Sequence, residues 1–512
     1  MSAKKKKSQP VWASGIARAE EHARDAELSV AYCAGRDVAA RPMADFLLVP
    51  FDIQTNRAHC AMLCKRGIIS PKELAAIERA LAKISRDWQA GKFHLDPRLE
   101  DVHINIERAV AAISGERPAG VMHTARSRND QTATDMRLWI RAELLRLARG
   151  LSHTLDEAAA LAARHSRTVM AGWTHGQPAM LTTLGHWAAG HGFALARDLR
   201  ALQDLWPLIH LSPLGAAAGF GTSWPIDRNL TASLLGFESP QPNSLDCVST
   251  RWEAEGRLAG ILAVMMTHLS SLAQDLYYLS SPPRRLVELD PAFTTGSSIM
   301  PQKRNPDFAE VTRARASAVQ SLAGAILSGG RAALSGYNRD SQWTKYWIMD
   351  LVDEVGAAPE VFARALATLK PDEAALARTA TEEFIAAVDL ADHLASSRGA
   401  EFRRVYHLVS EAVSKDRSAG VFRLETVNTL LAREDIHPPL SAAELRDLVD
   451  PIRALARRRS LGGPAPADVE SQAERLSELA AETRVWSADR LKAIQRAEKK
   501  LAETISSLTS KT

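Results

Sequence analysis

The 512-residue chain is poor in cysteine, carries almost no excess charge and lacks a long uninterrupted hydrophobic run. Its four cysteines are too few for a disulfide-stabilised fold of this length, and Cys60 and Cys64 have no second pair to complete a zinc site. Lys and Arg total 64 against 60 Asp and Glu, a net charge of +4, so the composition indicates no nucleic-acid partner. The richest apolar stretch, residues 256–281, contains charged residues, and the N-terminus does not resemble a signal peptide. We therefore expect a cytoplasmic protein without a membrane span.

The remaining composition, 46% hydrophobic and 24% charged, is typical of a globular protein with about two to four domains. From shifts in composition and proline-rich joins we predict a basic leader over 1–40, an N-terminal domain over 41–120, a central helical-bundle domain over 121–370, a C-terminal helical domain over 371–475 and a C-terminal helix over 476–512. Four consecutive lysines in the leader fit a solubilising tail, with contact to nucleic acid or acidic lipid as the alternative.

Proline is missing from three long windows, which lie between Pro118 and Pro178, Pro242 and Pro282, and Pro306 and Pro359. Because proline breaks helix interiors, these windows are where long helices can form. Apolar residues recur there every three or four positions, from Met136 to Leu155 and from Leu258 to Leu279, which is the spacing of a buried helix face. Helices this long must pack side by side, so we predict an all-α, mainly helical fold with three domains around a central long-helix bundle.

Three polar segments at the ends of these predicted helices carry the candidate chemistry. In the first, residues 294–310, Ser297 follows a glycine, Lys303 supplies a cation, and Asn305 before Pro306 has the form of a helix N-cap. The cation and the free N–H groups of that helix start could hold a carboxylate and stabilise a serine alkoxide. Taken alone, the segment also fits a serine-rich loop before a capped helix.

The same residues carry a resemblance to a known superfamily. The sequence GSSIMPQKRNP, residues 296–306, closely matches the GSSxMPxKxN motif of the aspartase/fumarase superfamily, whose members release fumarate from succinyl substrates. The resemblance implies that Ser297 is the catalytic base and that Lys303 is catalytic. It also implies that Asn305 and Glu310 bind substrate.

The second polar segment is SRNDQ, residues 127–131, followed by ATDMRLW. On physical grounds it could be only an elaborate cap at the start of a long helix. It resembles the argininosuccinate lyase family in particular, which implies that Ser127, Arg128 and Asn129 bind substrate.

The third segment is GWTHGQPAMLTTLGHW, residues 172–187. A lone histidine is more often a packed or surface residue than a catalyst. In the THxQ setting of this superfamily, however, Thr174 is implied to contact a substrate carboxylate and His175 to transfer a proton. The continuation GQPA is more similar to adenylosuccinate lyase than to the argininosuccinate lyase family.

Further matches to the argininosuccinate lyase family run from about residue 45 to residue 469. Tyr337, Gln342 and Lys345 keep the spacing of residues that bind the amino-acid end of argininosuccinate. The acidic residues that usually flank this lysine are replaced by Trp343 and its neighbours. A substrate-contacting serine of the family aligns with Arg41, and we expect this added cation to disfavour a guanidinium-bearing substrate.

The resemblance implies a carbon–nitrogen lyase that converts argininosuccinate to arginine and fumarate, with no metal and no organic cofactor. It also implies a homotetramer in which each active site takes one polar segment from each of three chains. Two alternatives stay open. One is a lyase acting on a different N-substituted aspartate, such as an adenylosuccinate-like or aminodicarboxylate substrate, and the other is a non-catalytic structural relative.

Overall fold

A computed structural model describes residues 43–331 and 333–510 of the chain. The predicted leader and Arg41 lie outside these described residues. The first described region is built from two short 3-10 helices, Ala44–Leu48 and Pro97–Leu99, and four α-helices. These are α1 (Val49–Lys65), α2 (Pro71–Gln89), α3 (Val102–Ser114) and α4 (Glu116–Met122).

Long helices dominate the centre, as predicted. They are α5 (Arg128–Arg164), α6 (Leu184–Ile209), α9 (Arg251–Ser280), α10 (Asp307–Gly329) and α11 (Asp340–Val355). The shorter helices α7 (Arg228–Leu234) and α8 (Ser244–Ser249) precede α9, and α12 (Ala358–Ala367) follows α11. The predicted stripe from Met136 to Leu155 is buried along its length, because it faces the shared core of the bundle. The prediction of a mainly helical fold is confirmed.

Three small two-stranded sheets join the helices. An antiparallel hairpin of β1 (Val169–Thr174) and β2 (Gln177–Thr183) connects α5 to α6. The parallel pair β3 (Leu211–Ser212) and β4 (Ser239–Pro240) and the antiparallel pair β5 (Val287–Glu288) and β6 (Lys370–Pro371) are only two residues long. The third polar segment therefore lies on this hairpin and reaches the start of α6 at Leu184, so it does adjoin a helix end as expected. The hairpin itself was not predicted, because its strands are only partly buried and show no clear alternation of apolar residues.

The C-terminal region has a hydrophobic core of its own, centred on Leu390, Leu408 and Leu430. Its helices are α13 (Glu373–Thr379), α14 (Ala387–Arg398), α15 (Phe402–Asp416), α16 (Leu424–Arg433), α17 (Ala442–Val449) and α18 (Pro451–Arg457). The last helix, α19 (Pro466–Thr509), returns to pack along α5 and α6. It runs without interruption through the predicted boundary at 475/476, so no element ends there. The predicted boundary near 120 likewise falls inside α4.

Helix α9 is long and apolar enough to cross a membrane by length and composition, and half of its apolar stretch is buried. In the fold it packs on α6, α10 and α11 as a helix of the bundle.

Candidate active site

The SRNDQ segment forms the start of α5. The Ser127 hydroxyl accepts the Asn129 N–H at 3.2 Å, and Asp130 Oδ1 accepts the Ser127 N–H at 3.0 Å, so the two side chains cap the helix reciprocally. The other Asp130 oxygen accepts the backbone N–H groups of Gly215 and Ala217 at 2.9 and 2.8 Å. Burial raises the pKa of Asp130 to about 6, although these backbone hydrogen bonds oppose the shift. The cap that sequence allowed is therefore present, and it also fixes the loop after β3.

Beneath this helix start lies a buried polar cluster that joins α1, α3 and α5. His103 Nδ1 lies 2.8 Å from Asp52 Oδ1, and His103 Nε2 lies 2.9 Å from the Thr132 hydroxyl. The Gln131 amide donates to Asp52 Oδ1 at 2.5 Å. Because Gln131 and Thr132 belong to the first turn of α5, this cluster anchors the turn that carries Arg128 and Asn129.

The second group of predicted residues surrounds the start of α11. The Tyr337 hydroxyl lies 3.4 Å from Gln342 Oε1, and the Gln342 amide lies 3.4 Å from the Tyr346 hydroxyl. Lys345 is almost fully buried and forms an ion pair with Asp45, which also accepts the Val102 N–H at 2.9 Å. The ammonium of Lys345 is therefore already neutralised within the chain.

These two groups meet at one end of the bundle. Arg128 pairs with Asp101 at 3.2 Å, and Arg339 pairs with Glu100 at 2.7 Å, so the same turn before α3 contacts both helix starts. Arg251, the first residue of α9, lies over the Tyr337 ring at 5.4 Å. We call this set the helix-start half of the site, comprising Ser127, Arg128, Asn129, Tyr337, Gln342 and Lys345.

His175 lies at the tip of the β1–β2 hairpin. Thr174 pairs with Gln177, so the connecting loop has only two residues, and both adopt positive φ, 54° at His175 and 72° at Gly176. The twist of a two-residue loop matches that of the strands when both residues adopt the left-handed conformation. Glycine adopts this conformation readily, whereas it is uncommon for other residues, including histidine. Thr174 and His175 are exposed on the single chain. The tip is held by Tyr278, whose hydroxyl donates to the Gly176 carbonyl at 3.4 Å.

Ser297 lies in a loop closed at its base by a two-way backbone bridge between Thr295 and Asn305, at 2.9 and 2.8 Å. Its hydroxyl oxygen accepts the backbone N–H groups of Ile299 and Met300 at 3.3 and 3.1 Å. Two N–H donors on one serine oxygen favour its charged form, because hydrogen bonds to the ionised state lower a pKa. Sequence reasoning had assigned this stabilisation to Lys303 and the following helix start, and it missed the two N–H groups.

The other predicted residues of this loop are less engaged. Lys303 and Glu310 are exposed on the single chain. Asn305 does not cap α10, which corrects the prediction, because the N-cap position belongs to Pro306 and the Asn305 amide points back toward Thr295 Oγ1 and Gly296 O at 3.5 Å. We call Thr174, His175, Ser297, Lys303, Asn305 and Glu310 the loop half of the site.

The two halves lie at opposite ends of α9. Tyr278, near the end of α9, holds the hairpin tip, and Arg313 in α10 stacks on Tyr277 at 5.1 Å, which places the start of α10 at the same end. Arg251 and Tyr337 mark the other end. At about 1.5 Å per residue, the helix between Arg251 and Tyr278 spans roughly 40 Å. Within one chain the predicted residues thus lie in two sets at opposite ends of α9 and are not brought together as one site.

Asp52, His103 and Asp135 form the one cluster in the described part of the chain that is compact enough to suggest a metal site, with ligand atoms within 4.8 Å of one another. Three of its four carboxylate oxygens already accept hydrogen bonds from His103, Gln131, Asn56 and Thr55. The cluster does not fit a metal ion, since it offers no free set of ligands.

Sequence reasoning also missed the acidic partners of the predicted cations, Asp45 for Lys345 and Asp101 for Arg128. Asp101 lies in the stretch EDVHINIER, residues 100–108, which resembles the argininosuccinate lyase family and could have suggested this residue. The sequence around Asp45 did not indicate this pairing, because Lys345 lies 300 residues further along the chain.

The sequence of this chain is similar to those of known lyases. A family model described as Lyase matches residues 38–321, more than half of the chain. Argininosuccinate lyase from Chelativorans sp. (strain BNC1) is 37% identical over 423 residues, which cover 82% of this chain and 88% of that protein. The chain belongs to the argininosuccinate lyase family of the aspartase/fumarase superfamily. It is therefore an enzyme of the carbon–nitrogen lyase type.

Solved structures of this lyase's relatives agree with the fold. The crystal structure of EDDS lyase in complex with formate is 29% identical with a TM-score of 0.86, and the match covers 94% of this chain and 96% of that one. An EDDS lyase variant with bound fumarate has the same identity and coverage and a TM-score of 0.83. Class II fumarase from Schistosoma mansoni, 18% identical with a TM-score of 0.66 over 83% of this chain and 94% of that one, shares the fold.

Proposed function

We propose that this lyase eliminates fumarate from an N-substituted aspartate by removing a β-proton and releasing the α-nitrogen. The observation that carries the proposal is the Ser297 hydroxyl, whose oxygen accepts two backbone N–H groups and so can hold negative charge. A serine is a poor base at its ordinary pKa, and such donors are what make the alkoxide accessible.

The carbanion formed by proton removal is stable only if the neighbouring carboxylate accepts a second negative charge. Lys303 supplies the cation for this purpose from the same loop as Ser297, and Asn305 holds the base of the loop closed. Thr174 and Glu310 complete the succinyl-binding set. His175 delivers a proton to the departing nitrogen, with an ordered water as the alternative. No metal or organic cofactor takes part.

Argininosuccinate is the leading substrate, since the argininosuccinate lyase from Chelativorans sp. is 37% identical over most of both chains. Tyr337, Gln342 and Lys345 would face the amino-acid end of that substrate. One observation favours a different N-substituted aspartate. Lys345 is buried and already paired with Asp45. The neighbouring Trp343 is exposed and makes an edge-to-face contact with Tyr346, with ring centroids 5.6 Å apart. The EDDS lyases among the structural relatives fit this alternative.

Assembly follows from the separation of the two halves. Since roughly 40 Å of helix separates them, one chain alone cannot complete a site, and the helix-start and loop residues of one site must come from different chains. We propose a cytoplasmic homotetramer in which each site draws its three polar segments from three chains, acting in arginine biosynthesis if argininosuccinate is the substrate.

The test is the absorbance of fumarate formed by the purified protein from argininosuccinate, adenylosuccinate, aspartate and other N-substituted aspartates in parallel. Turnover of argininosuccinate above all others supports the leading substrate. Preference for another member of the panel selects the alternative. Fumarate from none of them would indicate a non-catalytic relative and contradict the proposal.

A further inference from the structure

We propose that Asp135 is a neutral carboxylic acid in the native enzyme, hydrogen-bonded to the Asp52 carboxylate, and that this pair positions the first turn of α5 for substrate binding. Asp52 lies on α1, Asp135 on α5, and both side chains are completely buried. Neither has a role in the elimination proposed above, and the link to substrate binding rests on that proposed function.

The hydrogen bonds of the two carboxyl groups are unequal. Asp52 accepts from His103 at 2.8 Å, from the Gln131 amide at 2.5 Å and from the Asn56 amide at 2.8 Å, so both of its oxygens are engaged. Among the described residues, Asp135 accepts only from the Thr55 hydroxyl, at 2.5 Å. Its second oxygen has no hydrogen-bond partner among them, and His103 Nδ1 lies 3.6 Å from it. A proton on that second oxygen supplies the missing interaction, because the oxygen then donates to the neighbouring carboxylate.

Charge leads to the same assignment. Two ionised carboxylates this close and away from water cannot both be stable, so one of the pair keeps a proton. Burial, and then the Asp52 charge, raises the pKa of Asp135 well above its ordinary range. Burial opposes ionisation of Asp52 as well, but His103, Arg126 and Gln131 together lower its pKa. The proton therefore belongs to Asp135 and the negative charge to Asp52.

The other ionisable groups facing the pair are His103 on α3, Arg126 before α5, the buried His59 and the partly buried His123. Burial, and then Arg126, lowers the pKa of His59 to about 3 and that of His123 to about 4. Both histidines are consequently neutral in the pH range of the test. The pair reaches the site through His103, which binds Thr132, and through Gln131, both within one turn of Arg128 and Asn129.

Two isosteric substitutions distinguish the neutral acid, Asp135, from the charged carboxylate, Asp52. Asp135→Asn keeps a hydrogen-bond donor on the second atom, so we expect kcat and KM within about threefold of the wild type. Asp52→Asn removes the charge that His103 and Arg126 need, and we expect kcat/KM to fall on the order of 100-fold, mainly through KM. Asp130→Asn, on the same helix, is the matched control for an aspartate that must be ionised. Its carboxylate accepts three backbone N–H bonds, which an amide cannot all replace, so this variant should be impaired. An Asp135→Asn enzyme as impaired as Asp52→Asn would overturn the proposal.

Stability against pH tests the proton directly and does not depend on the reaction. A group whose folded-state pKa is raised contributes stability that is present below its unfolded pKa and lost as pH rises through the folded pKa. The wild type should thus lose Tm relative to Asp135→Asn as the pH is raised from about 5, which lies above the unfolded aspartate pKa of about 4. A constant difference across this range would overturn the neutral acid, as would a stoichiometric divalent metal in the wild type that Asp135→Asn lacks. If Asp52→Asn fails to fold, Thr132→Val should raise KM with kcat retained, and an unchanged KM would overturn the positioning role.

Discussion

The two halves of the candidate site differ in how far the chain itself completes them. In the helix-start half, Lys345 pairs with Asp45, Arg128 pairs with Asp101, and Ser127 is part of a reciprocal cap. In the loop half, His175 lies at an exposed hairpin tip, and the Ser297 loop carries Ile299 with 82% of its surface exposed. The first half is held by ion pairs and a helix cap within the chain, whereas much of the second half is exposed on the single chain.

This difference means that substitutions in the two halves should fail in different ways. The half that contains the buried Lys345–Asp45 pair should lose stability when one of these partners is removed. An exposed half should lose turnover and keep its stability, because few native contacts depend on it.

The largest effect is expected from Ser297→Ala. Removing the base should lower kcat on the order of 10³-fold while KM stays nearly unchanged, because a base acts on the transition state more than on bound substrate. The melting temperature should not change. Initial rates of fumarate release provide the measurement, and Ser298→Ala, one residue along the same exposed turn, is the matched control with a small effect. Comparable turnover in the Ser297 variant would remove this residue from the role of base.

In the helix-start half, Lys345→Met should destabilise the fold by about 3–5 kcal/mol, because it leaves Asp45 charged and buried without a partner. Urea unfolding followed by circular dichroism measures this. The double variant with Asp45→Asn should recover much of the loss. Lys83→Met is the control, since it breaks an exposed pair with Asp87 at 2.5 Å and should cost less than about 1 kcal/mol. Equal losses at both lysines would mean that burial does not distinguish the two pairs.

The smallest effect is expected at Arg41, which lies outside the described residues. Arg41→Ser should raise kcat/KM for guanidinium-bearing substrates by a few fold, because a like charge near the amine half would be removed. The kcat/KM for substrates with anionic substituents should fall by a similar factor. A substrate profile identical to that of the wild type would show that Arg41 does not lie near the amine half.

Much of the fold could be predicted from the sequence, because the information was local. The missing prolines and the apolar stripe from Met136 to Leu155 are enough to indicate α5, and SRNDQ indicates its cap. The hairpin around His175 was missed because its strands are short and its turn depends on a histidine in a left-handed conformation. Nothing in the residue pattern distinguishes that from a loop.

The candidate site was predictable only as residue types. Motifs identified Ser297, His175 and Arg128, but which residues lie together depends on helix directions that the sequence does not specify. The pairing of Lys345 with Asp45 and the buried cluster around Asp52 join positions that are far apart in the chain. Such contacts are properties of the packed core, so they could be found only in the structure.

The finer division of the loop half can be tested with His175→Asn and Ser297→Ala. If these two residues of a site come from different chains, hybrids of the two inactive variants should recover some activity. If both come from one chain, every hybrid site lacks one of them. The activity of refolded mixtures, compared with each variant refolded alone, decides between the two arrangements.

The most direct test of the central claim pairs one variant from each half, Arg128→Met with Ser297→Ala. Each is expected to be nearly inactive alone. Refolded together from an equimolar denatured mixture, about one quarter of the sites should draw an intact Arg128 and an intact Ser297 from different chains, and activity should return in that proportion. No recovery in hybrids verified by mass spectrometry would contradict the shared site. A monomer in sedimentation with full wild-type activity would contradict the assembly altogether.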